Sequence, residues 1–111
     1  MKYEIIWSKD AGEELFEIIS YIKYNTGKNT ADQIYSKITK EIKRVSESTA
    51  KIRVAPLLKE IGINHIYQHN IDPWIIFYKT EKNKMLIISI IDGRRNLEEI
   101  LYKKMLDGKI T

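Results

Sequence analysis

The stretch "MLIISIIDGRRNLEEI", residues 85–100, decides the fold because it contains the most apolar strand of the chain and the exit from it. From Met85 to Ile91 neither alternate set of positions is polar, which predicts a strand covered on both faces at the centre of a sheet. Asp92 and Gly93 end the apolar run with residues that favour turns. The question is why Arg94 and Arg95 follow directly.

A short closing helix is predicted after this turn. Asn96 precedes Glu99 by three residues, which is a capping-box arrangement, and apolar residues follow at helical spacing. These residues are Leu97, Ile100, Leu101 and Met105.

The N-terminal part predicts a strand followed by two helices. Residues 2–7, "KYEIIW", are β-prone, and Asp10 with Glu13 suggests a capping box for a first helix that ends near Gly27. A second capping box, Thr30 with Gln33, predicts a helix of nearly five turns. Because few residues separate the helices, we expect an antiparallel hairpin.

The rest of the chain predicts an antiparallel meander. Residues 51–62 are irregular, with a short strand at their start, and residues 63–70 alternate as a strand. Asp72 and Pro73 form a turn, residues 74–80 form the next strand, and residues 81–84 form a polar hairpin loop. The fold class is therefore α+β: an N-terminal strand, an antiparallel helical hairpin packed on a small, mainly antiparallel sheet, and a short C-terminal helix.

Composition limits the function classes. The 111 residues fit one domain, 1–111, and no apolar run approaches the roughly 18–20 residues of a membrane span. The absence of cysteine excludes disulfides and thiolate chemistry, and we expect a cytoplasmic protein without cofactors. The net charge of +4 arises after residue 50, where eleven basic side chains face seven acidic ones. Such asymmetry suits a polyanion or an acidic protein, although a solvated lysine-rich surface explains it equally well.

Three sequence landmarks follow one another along the chain. The first is "WSKDAGEELFEIISYI", residues 7–22, with a Ser-x-x-Ala start and a Leu-x-x-Ile-x-x-Tyr-Ile helix. The others are the Phe77-Tyr78 strand end and the Gly-Arg-Arg sequence at residues 93–95. Together they resemble the RelE/ParE superfamily of toxins from type II toxin-antitoxin systems. The similarity spans residues 3 to 101 and agrees with the architecture predicted from pattern alone.

The resemblance implies a growth-inhibiting toxin, with a role in plasmid stabilisation, that a cognate antitoxin neutralises. RelE-like members cut messenger RNA on the ribosome, and ParE-like members poison DNA gyrase. An inactive member that only binds antitoxin is a third reading. A homodimer and a toxin-antitoxin hetero-oligomer both remain open.

Ribonuclease chemistry would need a general base, a general acid and cations for the phosphorane. The candidate catalytic residues, for a ribonuclease only, are His65, Arg94, Arg95 and Tyr102. The candidate target-binding residues are Arg94, Arg95, His69 and Tyr78. In one regular strand His65 and His69 would share a face and could flank a phosphate. Two histidines without a third clear ligand predict no metal site.

Departures from the RelE-like pattern favour the ParE-like branch. RelE-like members often have arginines where this chain has Ile75 and the pair Asn64 and His65, and a histidine where it has Asp92. An acid beside the arginines weakens a phosphate pocket. A purely structural alternative is that the arginines are solvated or paired with Glu98 or Glu99 in an ordinary turn.

Overall fold

The sheet is built around the strand that the opening stretch predicts. A computed structural model describes residues 2–48 and 53–110. The strands are β1 (Glu4–Trp7), β2 (Tyr67–Ile71), β3 (Trp74–Glu81) and β4 (Lys84–Asp92). Their order in the sheet is β1-β4-β3-β2, with β1 parallel to β4 and the other pairs antiparallel. The predictions of a central β4 and a parallel β1 at the edge are confirmed.

Helices cover both faces of this sheet. The helices are α1 (Lys9–Thr26), α2 (Lys28–Glu47), α3 (Pro56–Lys59) and α4 (Leu97–Leu106). Gly27 alone connects α1 to α2, so the two helices pack as the predicted antiparallel hairpin. The hairpin lies on one face, and α3 with α4 lies on the other.

Two hydrophobic cores sandwich the sheet. The core on the hairpin side includes Ala11, Leu15, Ile38, Ile42, Trp74, Ile76, Tyr78, Met85, Ile87 and Ile90. The opposite core includes Ala55, Leu58, Ile66, Phe77, Ile88, Ile91, Leu101 and Ile110. Each fully buried large apolar side chain contributes roughly 1.5–3 kcal/mol relative to an exposed one. Covering both faces of β4 is what its uninterrupted apolar sequence requires.

A β-bulge lies in the middle of β4. Tyr78 pairs with Ile87, but the preceding residue Phe77 pairs with Ser89, so β4 has one extra residue. The extra residue changes which side chains face the hairpin, because side-chain direction alternates along a strand. Ile90 therefore joins the hairpin-side core, and Ile91 joins the opposite one.

Two of the three predicted capping boxes are wrong. Helix α1 is capped by Ser8, whose Oγ accepts a hydrogen bond from the Ala11 N–H at 3.0 Å, and not by Asp10. Helix α2 begins at Lys28, before Thr30, because Gly27 with φ of 111° ends one helix and starts the next. Only a glycine adopts that φ readily.

The third prediction is confirmed, since the Asn96 side chain accepts a hydrogen bond from the Glu99 N–H at 3.2 Å. Asn96 also donates to the Glu99 carboxylate, likewise at 3.2 Å. The cap therefore fixes the start of α4 directly after the two arginines.

The strand predicted over residues 63–70 is shorter than expected. It begins at Tyr67, because Ile63 and Ile66, three residues apart, both pack into the core beneath α3 and α4. A regular strand would direct them to opposite faces. Val54 forms a single antiparallel bridge with Tyr67. The start of the strand predicted at residues 51 and 52 lies outside the described residues.

Candidate functional site

The Gly-Arg-Arg turn is held tightly against the β2–β3 turn. The Gly93 N–H donates to the Pro73 carbonyl at 2.7 Å. A Cβ on residue 93 would lie 3.0 Å from Ile75 Cδ1 and 3.1 Å from the Pro73 carbonyl oxygen. Both contacts are tighter than most Cβ contacts, so a side chain here would require Ile75 or the Pro73 backbone to move by a few tenths of an ångström. The turn therefore presents the next two residues, Arg94 and Arg95, in a fixed place.

Arg94 is bound to the residue that ends the strand. Its Nε lies 3.0 Å from Asp92 Oδ1 and its Nη2 lies 2.6 Å from Asp92 Oδ2. The hydrogen bond from Arg94 outweighs the effect of burial and lowers the pKa of Asp92 from 3.8 to about 2. The expectation that Glu98 or Glu99 would pair with the arginines is wrong for Arg94. Its guanidinium is already neutralised by a carboxylate.

A groove of about 440 Å³ lies beside this turn, between α1 and the end of β4. Its apolar lining is Ile18, Tyr21, Ile22, Trp74, Ile90 and Ile91, and its charged lining is Glu14, Glu17, Asp92, Arg94 and Arg95. Arg95 is exposed, and no ion pair of its guanidinium is found within residues 2–48 and 53–110. The α1–β4 groove thus combines an apolar lining with one available guanidinium.

A polar network that sequence reasoning missed closes one side of the groove. The Glu14 carboxylate accepts hydrogen bonds from Ser89 Oγ at 2.9 Å and from the Ile90 N–H at 3.2 Å. Lys104 of α4 lies 3.0 Å from Glu14 and also bonds Asp10. The one serine inside the apolar run of residues 85–91 was the available signal. The network joins α1, β4 and α4 around the sheet.

The charges in this network stabilise each other. Burial alone would raise the pKa of Asp10, but hydrogen bonds from Lys104 and Lys109 hold it below its ordinary value. Burial alone would lower the pKa of Lys104, but its hydrogen bonds to Asp10 and Glu14 raise it. Asp10 and Lys104 are therefore both charged across the neutral range.

The two histidines do not share a strand face. His65 is exposed in the loop before β2, and His69 is half-buried within β2. The His69 Nε2 lies 3.7 Å from Glu41 Oε2, and this buried nitrogen has no hydrogen-bond partner in the described part of the chain. The premise that both histidines lie in one regular strand is therefore wrong.

The two candidate tyrosines lie in different environments. Tyr78 is 4% exposed and its ring centroid lies 5.6 Å from that of Tyr67. Burial raises the pKa of the Tyr78 hydroxyl. Tyr102 lines a separate shallow depression along α4 with Asn96, Glu98, Glu99, Lys103 and Leu106. Only Arg94 and Arg95 of the candidate residues line the α1–β4 groove.

Neither a metal site nor a membrane span is present in the described part of the chain. Within the described ranges no three His, Asp or Glu side chains cluster as metal ligands. None of the described helices is both long and apolar enough to cross a bilayer.

Comparisons with known proteins give a family and a shared fold. The family model described as "ParE toxin of type II toxin-antitoxin system, parDE" matches residues 5–97. A solved chain from the "Chromosomal ParDE TA system from P. aeruginosa" superposes with a TM-score of 0.66 at 13% identity. The superposition covers 81% of this chain and 95% of that chain, and at this identity it shows a shared fold. No curated protein matches the sequence.

Proposed function

Because the chain belongs to the ParE toxin family of type II toxin-antitoxin systems, we propose that it arrests growth by acting on DNA gyrase in the cytoplasm. The matched residues, 5–97, run from β1 to the first residue of α4 and so include both the hairpin and the arginine turn. Membership of this family is the support for a toxin function. The choice of gyrase over the ribosome rests on the site.

The observation that carries this choice is the separation of the residues a ribonuclease would need. The α1–β4 groove includes Arg94 and Arg95 but neither His65 nor Tyr102. The Asp92 carboxylate accepts two hydrogen bonds from the Arg94 guanidinium. General acid-base catalysis requires the proton-transferring groups within hydrogen-bond reach of one substrate. The arrangement supports a binding surface better than an RNA-cleaving centre.

The α1–β4 groove is the proposed contact surface for the target. Its apolar lining gives contact area, and the exposed Arg95 offers a planar fork for a carboxylate or phosphate on the partner. The turn holds the backbone of Arg94 in place beside the groove. Its guanidinium must break the ion pair with Asp92 before it can bind the partner. The fixed Gly93 turn reduces the ordering cost of binding.

The same groove offers a route to neutralisation. The P. aeruginosa chain that shares this fold comes from a ParDE toxin-antitoxin system. We propose that a cognate antitoxin inserts an amphipathic segment along the apolar lining and places a carboxylate on Arg95. Occupying this surface would block the target directly.

The experiment is to induce the chain alone in a bacterial host and pulse-label DNA and protein synthesis. We expect DNA synthesis to fall first, together with a DNA-damage response. Prior loss of protein synthesis would instead support the RelE-like ribonuclease, and normal growth would support an inactive antitoxin-binding member. The same host carrying the empty vector is the control for induction.

A further inference from the structure

A second charged surface lies away from the α1–β4 groove. It consists of Lys37, Lys40 and Arg44 on α2 together with Arg53 and Lys59, and we call it the basic patch. The three α2 residues are spaced i, i+3 and i+7, so they form one stripe about 10 Å long. Arg44, Arg53 and Lys59 line one cleft of about 990 Å³ beside β2. Stripe and cleft therefore form a continuous surface.

Most of this positive charge is uncompensated. Glu41 pairs with Arg44, and Lys37 donates to the Asp72 carbonyl at 3.3 Å. Lys40, Arg53 and Lys59 have no ion pair within the described ranges, and all three are exposed. The described residues that line the cleft include no carboxylate. A surface on which the cations outnumber the carboxylates attracts a polyanion.

We propose that the basic patch binds the phosphate backbone of duplex DNA without reading its sequence. Protein-protein contact surfaces are depleted in lysine and enriched in aromatic residues. The patch has three lysines and no Phe, Tyr or Trp. The exposed aromatic side chains of the hairpin, Phe16, Tyr21 and Tyr24 on α1 and Tyr35 on α2, are not part of it. The described cleft residues include no Phe, Tyr or Trp, which disfavours single strands, because these stack their bases mainly on such side chains.

The fold is what brings the patch together. Lys40 and Arg44 belong to the charge-balanced first half of the sequence, and Arg53 and Lys59 to the basic second half. The bridge between Val54 and Tyr67 and the short α3 place Arg53 and Lys59 opposite the last turns of α2. This binding would add a DNA contact to the toxin and does not depend on which enzyme the toxin attacks.

The test uses the purified full-length chain and two fluorescein-labelled 20-base-pair duplexes of unrelated sequence, followed by anisotropy from 50 to 300 mM KCl. We expect both duplexes to bind with the same affinity. The double variant Lys40→Gln/Lys59→Gln should weaken binding about tenfold at 100 mM salt and reduce the salt slope by roughly two.

The matched control is Lys23→Gln/Lys103→Gln, which removes the same charge from exposed lysines outside the patch. It should change affinity by less than about twofold. Circular dichroism confirms that both variants fold. Equal losses in the two double variants would overturn the proposal, as would no duplex binding at 50 mM salt. Displacement of the duplex by polyglutamate at a lower charge concentration than by unlabelled duplex would also overturn it.

Discussion

Arg94 and Asp92, two residues apart at the end of the central strand, form a two-point ion pair with contacts of 3.0 and 2.6 Å. Asp92 Oδ1 also accepts the Arg94 backbone N–H at 2.9 Å. One carboxylate thus closes the turn and neutralises one of its two arginines. The pair leaves Arg95 as the guanidinium available to a partner.

Asp92 should make the stability of the protein depend measurably on pH in the acid range. Its pKa is lowered to about 2 in the folded state, so its contribution to stability is complete above the ordinary value of 3.8 and is lost as pH falls towards 2. Because Arg94 is largely exposed, solvent screens this contribution. Asp92→Asn should remove it at pH 6 and have a much smaller effect at pH 2, which urea denaturation at the two pH values measures. An equal loss at both would contradict the ion-pair assignment.

Gly93 should tolerate a side chain poorly. Gly93→Ala would push a Cβ towards Pro73 and Ile75 and destabilise the fold by about 1–3 kcal/mol. Gly12, on α1, has open space at its Cβ position, and Gly12→Ala should stabilise by about 0.5–1 kcal/mol. The urea concentration at the midpoint of unfolding, measured for both variants, tests the two predictions. A stable Gly93→Ala protein would show that the turn is looser than described.

Lys104 should be essential to the network around Glu14. Lys104→Met would leave Glu14 and Asp10 without their shared cation and destabilise by about 2–4 kcal/mol near pH 7. Lys103→Met, at the neighbouring exposed position, should cost less than about 0.5 kcal/mol. Thermal or urea unfolding compares them.

The same network should contribute to stability only between a lower and an upper pH limit. The lowered pKa of Asp10 means that its contribution is present above 3.8 and lost as pH falls below that value. The raised pKa of Lys104 means that its contribution is present below 10.5 and lost at higher pH. Outside this pH range, the stability of the wild-type protein should therefore decrease more steeply with pH than that of Lys104→Met. Parallel pH profiles of the two proteins would contradict the assignment.

Much of the fold was predictable because apolar periodicity records which faces are buried. The residues from Met85 to Ile91 alone predicted a central strand, and the structure confirms it. Helix starts were harder, since Asp10 and Thr30 look like caps but Ser8 and Gly27 set the boundaries. Local pattern does not show which of several polar residues tertiary contacts will recruit.

The site was less predictable for the same reason. Sequence spacing suggested that His65 and His69 would act together, but the packing of Ile66 prevents one continuous strand. Ser89 and Glu14 are 75 residues apart, and the packing of α1 against β4 brings them into contact. Arg94 and Arg95 could be identified from the sequence, but their different electrostatic states could not.

Arg95 should be the more sensitive charge at the α1–β4 groove. Arg95→Glu reverses the guanidinium proposed to contact the target and should reduce toxicity at least about tenfold, because a desolvated contact is replaced by repulsion. Lys82→Glu, in the exposed β3–β4 turn, is the control for the same charge change and should remain toxic. Colony counts after induction measure both. Full toxicity of Arg95→Glu would remove this residue from the site.

The most direct measurement is a plasmid supercoiling and cleavage assay with purified DNA gyrase, run beside cell-free translation with the same toxin preparation. We expect the chain to inhibit supercoiling or accumulate cleaved plasmid at concentrations that leave translation and the messenger RNA intact. Cleavage of messenger RNA on the ribosome, with gyrase unaffected, would contradict the proposed action on gyrase.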